Sequence, residues 1–576
     1  MNANGMNLDE VKKTDIWQLF EHGRNYMRLM NVFSDTDLNY RMTYGNQWEG
    51  AKIEGIEQAQ YNIIETIVNY KTSTINQNLY AMHFSSENYE EKEFRKTAEK
   101  TCELLDRKAG KVWDKEQMDT KIRAISDDSA INDEGVMYVW YDTESQSPVN
   151  EIINKNDIQY GNEQSSDIQS QPYIVISQRK SVIEITEIAR REGASEEDIK
   201  YIIGDTDTQE QAGIDAKLEK DDMCTLVTKM WKENGTVWYA SATKYVDIKK
   251  PTDTKLTLYP VAHFVWKEKK GWSRGEGEVR TLIPNQLELN KTLARMLLSI
   301  KQCAYTQKIA NVEKIINPQA LDQIGGVIKV RGGSTVDDVS KIFTYVQPAT
   351  MSTDVSKLLQ DLITITRDLR NASEFATGGV NPEETSGRAI LAVQQASKQP
   401  LTKQSEGLKR FIEDVARIWL DMWTVYTPDG MTLEEEMTDE ATGETYVQLV
   451  EVPATVLESL KANVKVDVTP TSPFDKYATE LTLENFLKAG YFNAQRVKEL
   501  RYYAESLPDN ASSPKLKLLD ICEKIEEDQQ KIAMIDAQAK MMQQRASQFL
   551  MEDPTAQASQ MIEAGAGMPV EQMPVE

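Results

Sequence analysis

Reactive side chains are the place to begin. Three histidines are present, His22, His83 and His263, and none stands at metal-ligand spacing from another His or Cys. Each is expected to be a surface or core histidine rather than a ligand. Cys102, Cys224, Cys303 and Cys522 lie far apart, form no CxxC pair and suggest no disulfide framework, so a reducing cytoplasm is the default compartment. Gly275-Glu276-Gly277 lacks the third glycine of a dinucleotide loop, and no GxxxxGK[ST] phosphate loop exists. No G-x-S-x-G nucleophile elbow is expected, and Gly271 to Gly277 is read as a glycine-punctuated turn. The acidic runs Asp127-Asp128, Asp337-Asp338, Glu383-Glu384 and Glu434-Glu435-Glu436 read as solvated loop charge. No catalytic, cofactor-binding or metal-binding residue is therefore expected.

The positioning elements come next. The chain of 576 residues is long enough for several domains, and its 40% hydrophobic content can build cores. Its 66 basic and 91 acidic residues give a formal charge of -25, which opposes tight binding to nucleic acid as a whole. It does not prevent the protein from surrounding DNA without gripping it. No apolar run approaches the roughly 18–20 residues that span a bilayer, so no membrane association is expected. Met1 to Glu10 shows no signal-peptide pattern.

The organising stretch runs from Gly271 to Pro428. After the glycine-punctuated turn, Leu289, Leu293, Met296, Ile300 and Ala304 predict one face of a helix over about 285–308, with Pro284 in its first turn. Lys291 and Arg295 lie on the opposite face, since each residue turns a helix by about 100°. A compact strand-and-turn insert follows, containing Lys329, Arg331, Gly332 and Gly333. Val355, Leu358, Leu362, Ile365, Leu369 and Ala372 then form a narrow seam of coiled-coil type. A polar loop, Thr377-Gly378-Gly379-Val380-Asn381-Pro382 at its centre, leads to a long helical run from about 388 to 426. Leu408, Ile412, Val415, Trp419, Met422 and Tyr426 make its stripe, and Pro400 is expected to kink or break it.

This order of elements resembles the stem, clip and tunnel-loop region of tailed-bacteriophage portal proteins. The residues carrying the likeness are Gly275 and Gly277 at the entry, the Pro284-Asn285-Gln286 to Asn290 helix start, the small insert, and Thr385-Ser386-Gly387-Arg388-Ala389-Ile390 opening the long helix. Near the N-terminus, Gly45-Asn46-Gln47-Trp48 after an aromatic element is similar to a signature of many portal proteins; its plain reading is a turn with an anchoring tryptophan.

Elsewhere, residues 1–35 read as an amphipathic helix and Asn39 to Trp48 as a polar-aromatic turn. Helices are expected at about 57–82, 88–118 and 119–131, the second with Phe94, Ala98, Cys102, Leu105 and Ala109 buried. Strand signals begin at Val136–Tyr141 and recur at Tyr173–Ile176, Thr225–Trp231, Val237–Ala240 and Leu256–Trp266. Asn234-Gly235 signals a hairpin, Ser181–Glu192 a helix, and Ser195-Glu196-Glu197-Asp198 a helix start. An acidic hairpin around Ala441-Thr442-Gly443 and the strand Val464–Val468 are expected to fold back onto these strands. Pro470-Thr471-Ser472-Pro473 marks a boundary, and helices resume over 474–551.

The expected fold is α+β, mainly α. The resemblance implies the following plan: N-terminal helices and an α+β wing (1–270), first stem helix (271–308), clip (309–350), second stem helix (351–373), tunnel loop (374–387), long wing helix (388–427), wing strands (428–472), helical crown (473–551) and a disordered tail (552–576). It implies a homo-oligomer, a dodecameric ring at one capsid vertex of the virion, assembled in the host cytoplasm. The ring would conduct double-stranded DNA in packaging and ejection. Its partners would be the major capsid protein, terminase and head–tail adaptor proteins, with no cofactor. Under this plan Lys291, Arg295 and Thr377, Gly378, Gly379, Val380, Asn381 and Pro382 face the DNA tunnel. Lys329, Arg331, Gly332 and Gly333 face terminase or the adaptor. Two plainer alternatives stand beside these: Lys291 and Arg295 as surface partners of Glu288, and the polar loop as a helix linker. The rival readings of the whole chain are another virion ring or tail-adaptor protein, or a metal-dependent nuclease.

Overall fold

The structure is a computed structural model. It describes residues 12–49, 57–77, 80–86, 92–205, 222–304, 308–322, 327–331, 343–345, 353–372, 398–438, 445–453, 456–458 and 464–468, with 497–506 and short pieces between 482 and 542. The chain divides into two compact units, Met1–Pro470 and Thr471–Glu576, and the division falls in the Pro470-Thr471-Ser472-Pro473 stretch. The fold is α+β and mainly α.

The first unit opens with α1 (Asp15–Leu29) and α2 (Val32–Thr43). The Thr14 hydroxyl caps α1 by accepting from Trp17 N. The expected single helix over 1–35 is interrupted at Asn31, which takes a left-handed conformation (φ 60°). Asn39 to Thr43, expected in a turn, belong to α2. Then come α3 (Ile63–Ile75), β1 (Met82–Ser86), α4 (Lys92–Lys115) and α5 (Met118–Asn132). The expected helix over 57–82 thus stops early and gives way to a strand. On α4, Ala98, Cys102, Leu105 and Ala109 are all buried, as their spacing predicts, while the Phe94 side chain lies outside the described residues.

The strands follow: β2 (Glu134–Asp142), β3 (Ser147–Ile153), β4 (Ile158–Tyr160) and β5 (Tyr173–Ser181), then α6 (Val182–Arg191), α7 (Glu196–Ile199), β6 (Met223–Glu233), β7 (Thr236–Ala242), β8 (Asp247–Asp253) and β9 (Val261–Val265). They form two antiparallel sheets, ordered β3-β2-β9 and β4-β5-β6-β7-β8. The two-residue turn between β6 and β7 has positive φ at Asn234 (52°) and Gly235 (86°), the geometry that an Asn-Gly pair favours. Ser181 and Ser195 cap α6 and α7 through Glu184 N and Asp198 N.

Next are α8 (Val279–Ala304), the short pair β10 (Lys308–Ala310) and β11 (Phe343–Tyr345), α9 (Thr353–Leu369), α10 (Thr402–Tyr426), the hairpin β12 (Met431–Thr438) and β13 (Thr445–Val452), and β14 (Val464–Val468). β14 pairs antiparallel with β1 rather than joining either larger sheet. The second unit contains α11 (Val497–Ser506), with Tyr503 and Leu483 buried together.

The core of the first unit gathers around α10. Leu408, Ile412, Val415, Trp419 and Met422 are buried, and Pro400 sits in the 3-10 turn just before the helix. Trp419 donates its indole N–H to Asn150 Oδ1 at 3.0 Å, and Phe411 meets Phe264 of β9 at 6.4 Å between ring centroids. Asp421 is buried, and its Oδ2 accepts from Thr257 N (2.8 Å) and Leu258 N (2.9 Å) ahead of β9. Tyr426, at the exposed end of the stripe, stacks on Tyr141 at 4.7 Å.

Candidate functional site

The turn that feeds α8 is built from glycines for a steric reason. Gly275 has φ +70°, and a Cβ there would lie 2.0 Å from Val265 Cγ1 and 2.6 Å from Lys267 O. A Cβ on Gly277 would meet Ala130 O at 2.8 Å. Three backbone donors fix the turn: Glu276 N to Lys267 O (3.0 Å), Gly277 N to Asp133 Oδ1 (2.6 Å) and Glu278 N to Ala130 O (2.8 Å).

Immediately before Gly275 stands Arg274, fully buried. Its guanidinium donates to Glu134 Oε1 (2.6 Å), Lys155 O (2.9 Å), Ile158 O (2.8 Å), and Glu163 Oε1 (2.8 Å) and Oε2 (3.1 Å). Burial alone would raise the Glu134 carboxyl, but Arg274 and a hydrogen bond with His263 outweigh it and hold the group at about 2. His263 Nε2 lies 2.7 Å from Glu134 Oε2, and Lys155 pairs with Asp133. His263 is thus a core histidine bound to a carboxylate. His22 is exposed on α1, and His83 is exposed beside Asp106 at 3.2 Å. The sequence reading passed over Arg274, Glu134, Glu163 and Lys155, because nothing local marks a charged residue as buried. The one available hint was an arginine confined between glycines.

Gly271-Trp272-Ser273-Arg274-Gly275 does match the G-x-S-x-G spacing of a nucleophile elbow, contrary to the reading as a plain turn alone. The geometry opposes nucleophilic use. Ser273 is buried, and its hydroxyl donates to Glu163 Oε2 at 2.7 Å instead of meeting a histidine. Among the described residues, no group of three or more His, Cys, Asp or Glu could hold a metal ion.

Helix α8 begins earlier than expected, so Pro284 sits inside it rather than in its first turn. Its buried face is partly polar. Gln286 donates to Tyr61 O (2.6 Å) and Asn290 Oδ1 (2.9 Å), and Asn290 donates to Gln47 Oε1 (2.6 Å). Gln47 in turn donates to Met42 O (2.8 Å). Gln47 and Asn290, far apart in the sequence, therefore meet in one buried amide chain. Leu289 and Leu293 are buried, but Ile300 is 47% exposed, so the expected apolar face leaves the core along its length.

Helix α9 runs antiparallel beside α8: Asn285 donates to Thr366 Oγ1 (3.2 Å), and Arg370 to Thr281 O (3.2 Å). Three of its six seam residues are exposed, while Val355 and Leu362 are half-buried. Leu358 is 50%, Ile365 55% and Leu369 72% exposed, whereas Ala372 is buried.

Lys291 and Arg295 are both exposed on α8 and share one carboxylate, Glu288, at 3.9 and 3.4 Å. Lys329 and Arg331 are exposed and flank Val330, which bridges to Ile315. Being two apart in extended chain they share a face. Ile316 N donates to Lys329 O and Arg331 N to Lys314 O, both at 2.8 Å. Gly332, Gly333 and Thr377, Gly378, Gly379, Val380, Asn381 and Pro382 lie outside the described residues, as do Asp337-Asp338 and Glu383-Glu384.

Asp127 and Asp128 are not solvated loop charge. They lie on α5, half-buried, and burial pushes Asp128 up to about 6 while the Tyr40 hydroxyl donates to it at 3.3 Å. Among the described residues no helix is long and apolar enough to cross a membrane.

No curated protein matches this chain. The family described as phage P22-like portal protein matches residues 154–572, which takes in the five-stranded sheet, β9, the α8–α9 pair and α10. The chain belongs to the phage P22-like portal protein family, whose members are structural proteins of the virion rather than enzymes.

Proposed function

We propose that this chain is one subunit of a closed ring at a single capsid vertex, a conduit for double-stranded DNA in packaging and ejection and a docking platform for terminase and head–tail adaptor proteins. The family match supports the reading at its coarsest level. The observation that carries the ring is the apolar seam of α9, exposed in the isolated chain at Leu358, Ile365 and Leu369. Contiguous exposed apolar surface is costly in water and is covered by partners. Identical copies arranged head to tail cover it and close when their rotation closes. A dodecamer is the subunit number that the resemblance implies.

In this reading, residues 271–308 and 351–373 are the stem, 309–350 the clip with Lys329, Arg331, Gly332 and Gly333 toward terminase or adaptor, and 374–387 the tunnel loop. Lys291 and Arg295 repeat around the channel as weak basic rings, since Glu288 offsets one of the two cations. Weak rings suit a conduit, because cumulative phosphate contacts would hold DNA fast. Negative-stain images of the purified protein test this. Rings with a central hole are expected; particles without a hole at every concentration would overturn it.

A further inference from the structure

Four residues apart, the entry to α8 holds two buried charges in different situations. Arg274 has every donor group engaged by carboxylates or carbonyls. Glu278, immediately before α8, is one carboxylate facing two cations from two other elements. Lys71 of α3 lies 2.7 Å from its Oε1, and Arg370, just past the end of α9, lies 3.8 Å from the same oxygen. Lys71 and Glu278 are both buried, while the Arg370 side chain is 29% exposed and donates to Thr281 O in the first turn of α8.

The backbone of Glu276–Glu278 is pinned by its three hydrogen bonds, so the acceptor does not travel. What can move is Arg370, which stands at a helix end and needs roughly 1 Å to reach hydrogen-bond distance of Glu278. Burial lowers the Lys71 ammonium, Glu278 partly restores it, and Arg370 and Lys267 lower it again. A buried ammonium depends on its carboxylate, so weakening that pair destabilises the helix that carries it.

We infer that Glu278 is a charge latch for which Lys71 and Arg370 compete, so that a shift of the α9 terminus toward α8 loosens α3 and a shift away tightens it. Arg370 is a positioning residue in this device and touches no ligand. The latch does not depend on the conduit reading and stands or falls separately from it.

Hydrogen exchange by mass spectrometry on the full chain tests the competition. In Arg370→Gln, Lys71 no longer shares its acceptor, and exchange over Ile63–Ile75 is expected to slow by about threefold, the scale of one partly exposed ion pair. A purely structural Arg370 would leave α3 unchanged or make it faster, and either result overturns the latch. Arg370→Lys keeps the cation and is expected to leave α3 near its wild-type rate. Slowing there equal to that of Arg370→Gln would trace the effect to lost guanidinium packing and also overturn it. In the reverse direction, Lys71→Met is expected to slow exchange at Asp368 to Ala372, and faster exchange at those amides would contradict it.

Discussion

Arg274 and Glu134 meet at 2.6 Å with neither side chain reaching solvent. One stands in the turn before α8, the other at the start of β2, so the pair ties the helical hairpin of α8 and α9 to the three-stranded sheet. Removing one member of such a pair leaves the other charged and buried, which costs about 3–5 kcal/mol. Arg274→Met is therefore expected to unfold the first unit at markedly lower denaturant, read as a shift in the urea midpoint by circular dichroism. A midpoint unchanged from wild type would show that the pair adds nothing to stability.

The same carboxylate gives a pH signature. Glu134 is held at about 2 in the folded chain, below its ordinary value of 4.5. Its contribution is therefore complete above the ordinary carboxylate range and is lost as pH falls from there through about 2, on the order of 3 kcal/mol in total. Glu134→Gln is expected to be destabilising at pH 7 and to show a flatter stability curve between pH 5 and 3 (roughly the window named) than wild type.

Asp128 has the opposite sign. Burial first, and the neighbouring Asp127 charge last, raise it from 3.8 to about 6, partly offset by the Tyr40 hydroxyl. Its ionised form is strained in the fold, so wild-type stability gains as pH falls from above 6 toward 4. Asp128→Asn keeps an acceptor for Tyr40 and is expected to raise the melting temperature at pH 8 by an amount equivalent to about 1–2 kcal/mol, with little effect near pH 4. An equal effect at both pH values would exclude the titration as the cause.

The exposed seam of α9 should be needed for assembly and not for folding. Ile365→Glu with Leu369→Glu replaces two exposed apolar side chains. The doubly substituted chain is expected to keep its helical circular dichroism and its unfolding midpoint within about 0.5 kcal/mol, since exposed sites tolerate change, yet to elute as a monomer. Normal assembly of this variant would place the subunit interface elsewhere.

Lys291→Glu with Arg295→Glu is expected to leave ring assembly intact and to alter DNA retention in filled particles. Glu288 would then sit among like charges rather than between cations. Unchanged packaging and retention would count against a channel-facing position for these residues.

The long helices were legible because their apolar residues repeat at helical spacing, as the buried stripes of α4 and α10 demonstrate. The β6–β7 hairpin was legible from two residues, Asn234 and Gly235. Other features depend on partners far away in the chain. β1 is a strand because β14 pairs with it, with Met82 opposite Val468. Gln286 and Asn290 are buried because Gln47 and Tyr61 satisfy them, and no periodicity encodes that. The charges of Arg274, Glu134, Lys155 and Asp133 look in one dimension like solvated surface, and only their convergence places them in the interior. Along α9 the spacing gave the helix, but it did not say that Leu358, Ile365 and Leu369 stay exposed in the single chain.

Native mass spectrometry of the purified full-length protein tests the central claim most directly. The expected result is one closed assembly at a fixed multiple of the 65.5 kDa chain, persisting on dilution. A chain that remains monomeric at every concentration, or that forms an open ladder of sizes, would contradict it.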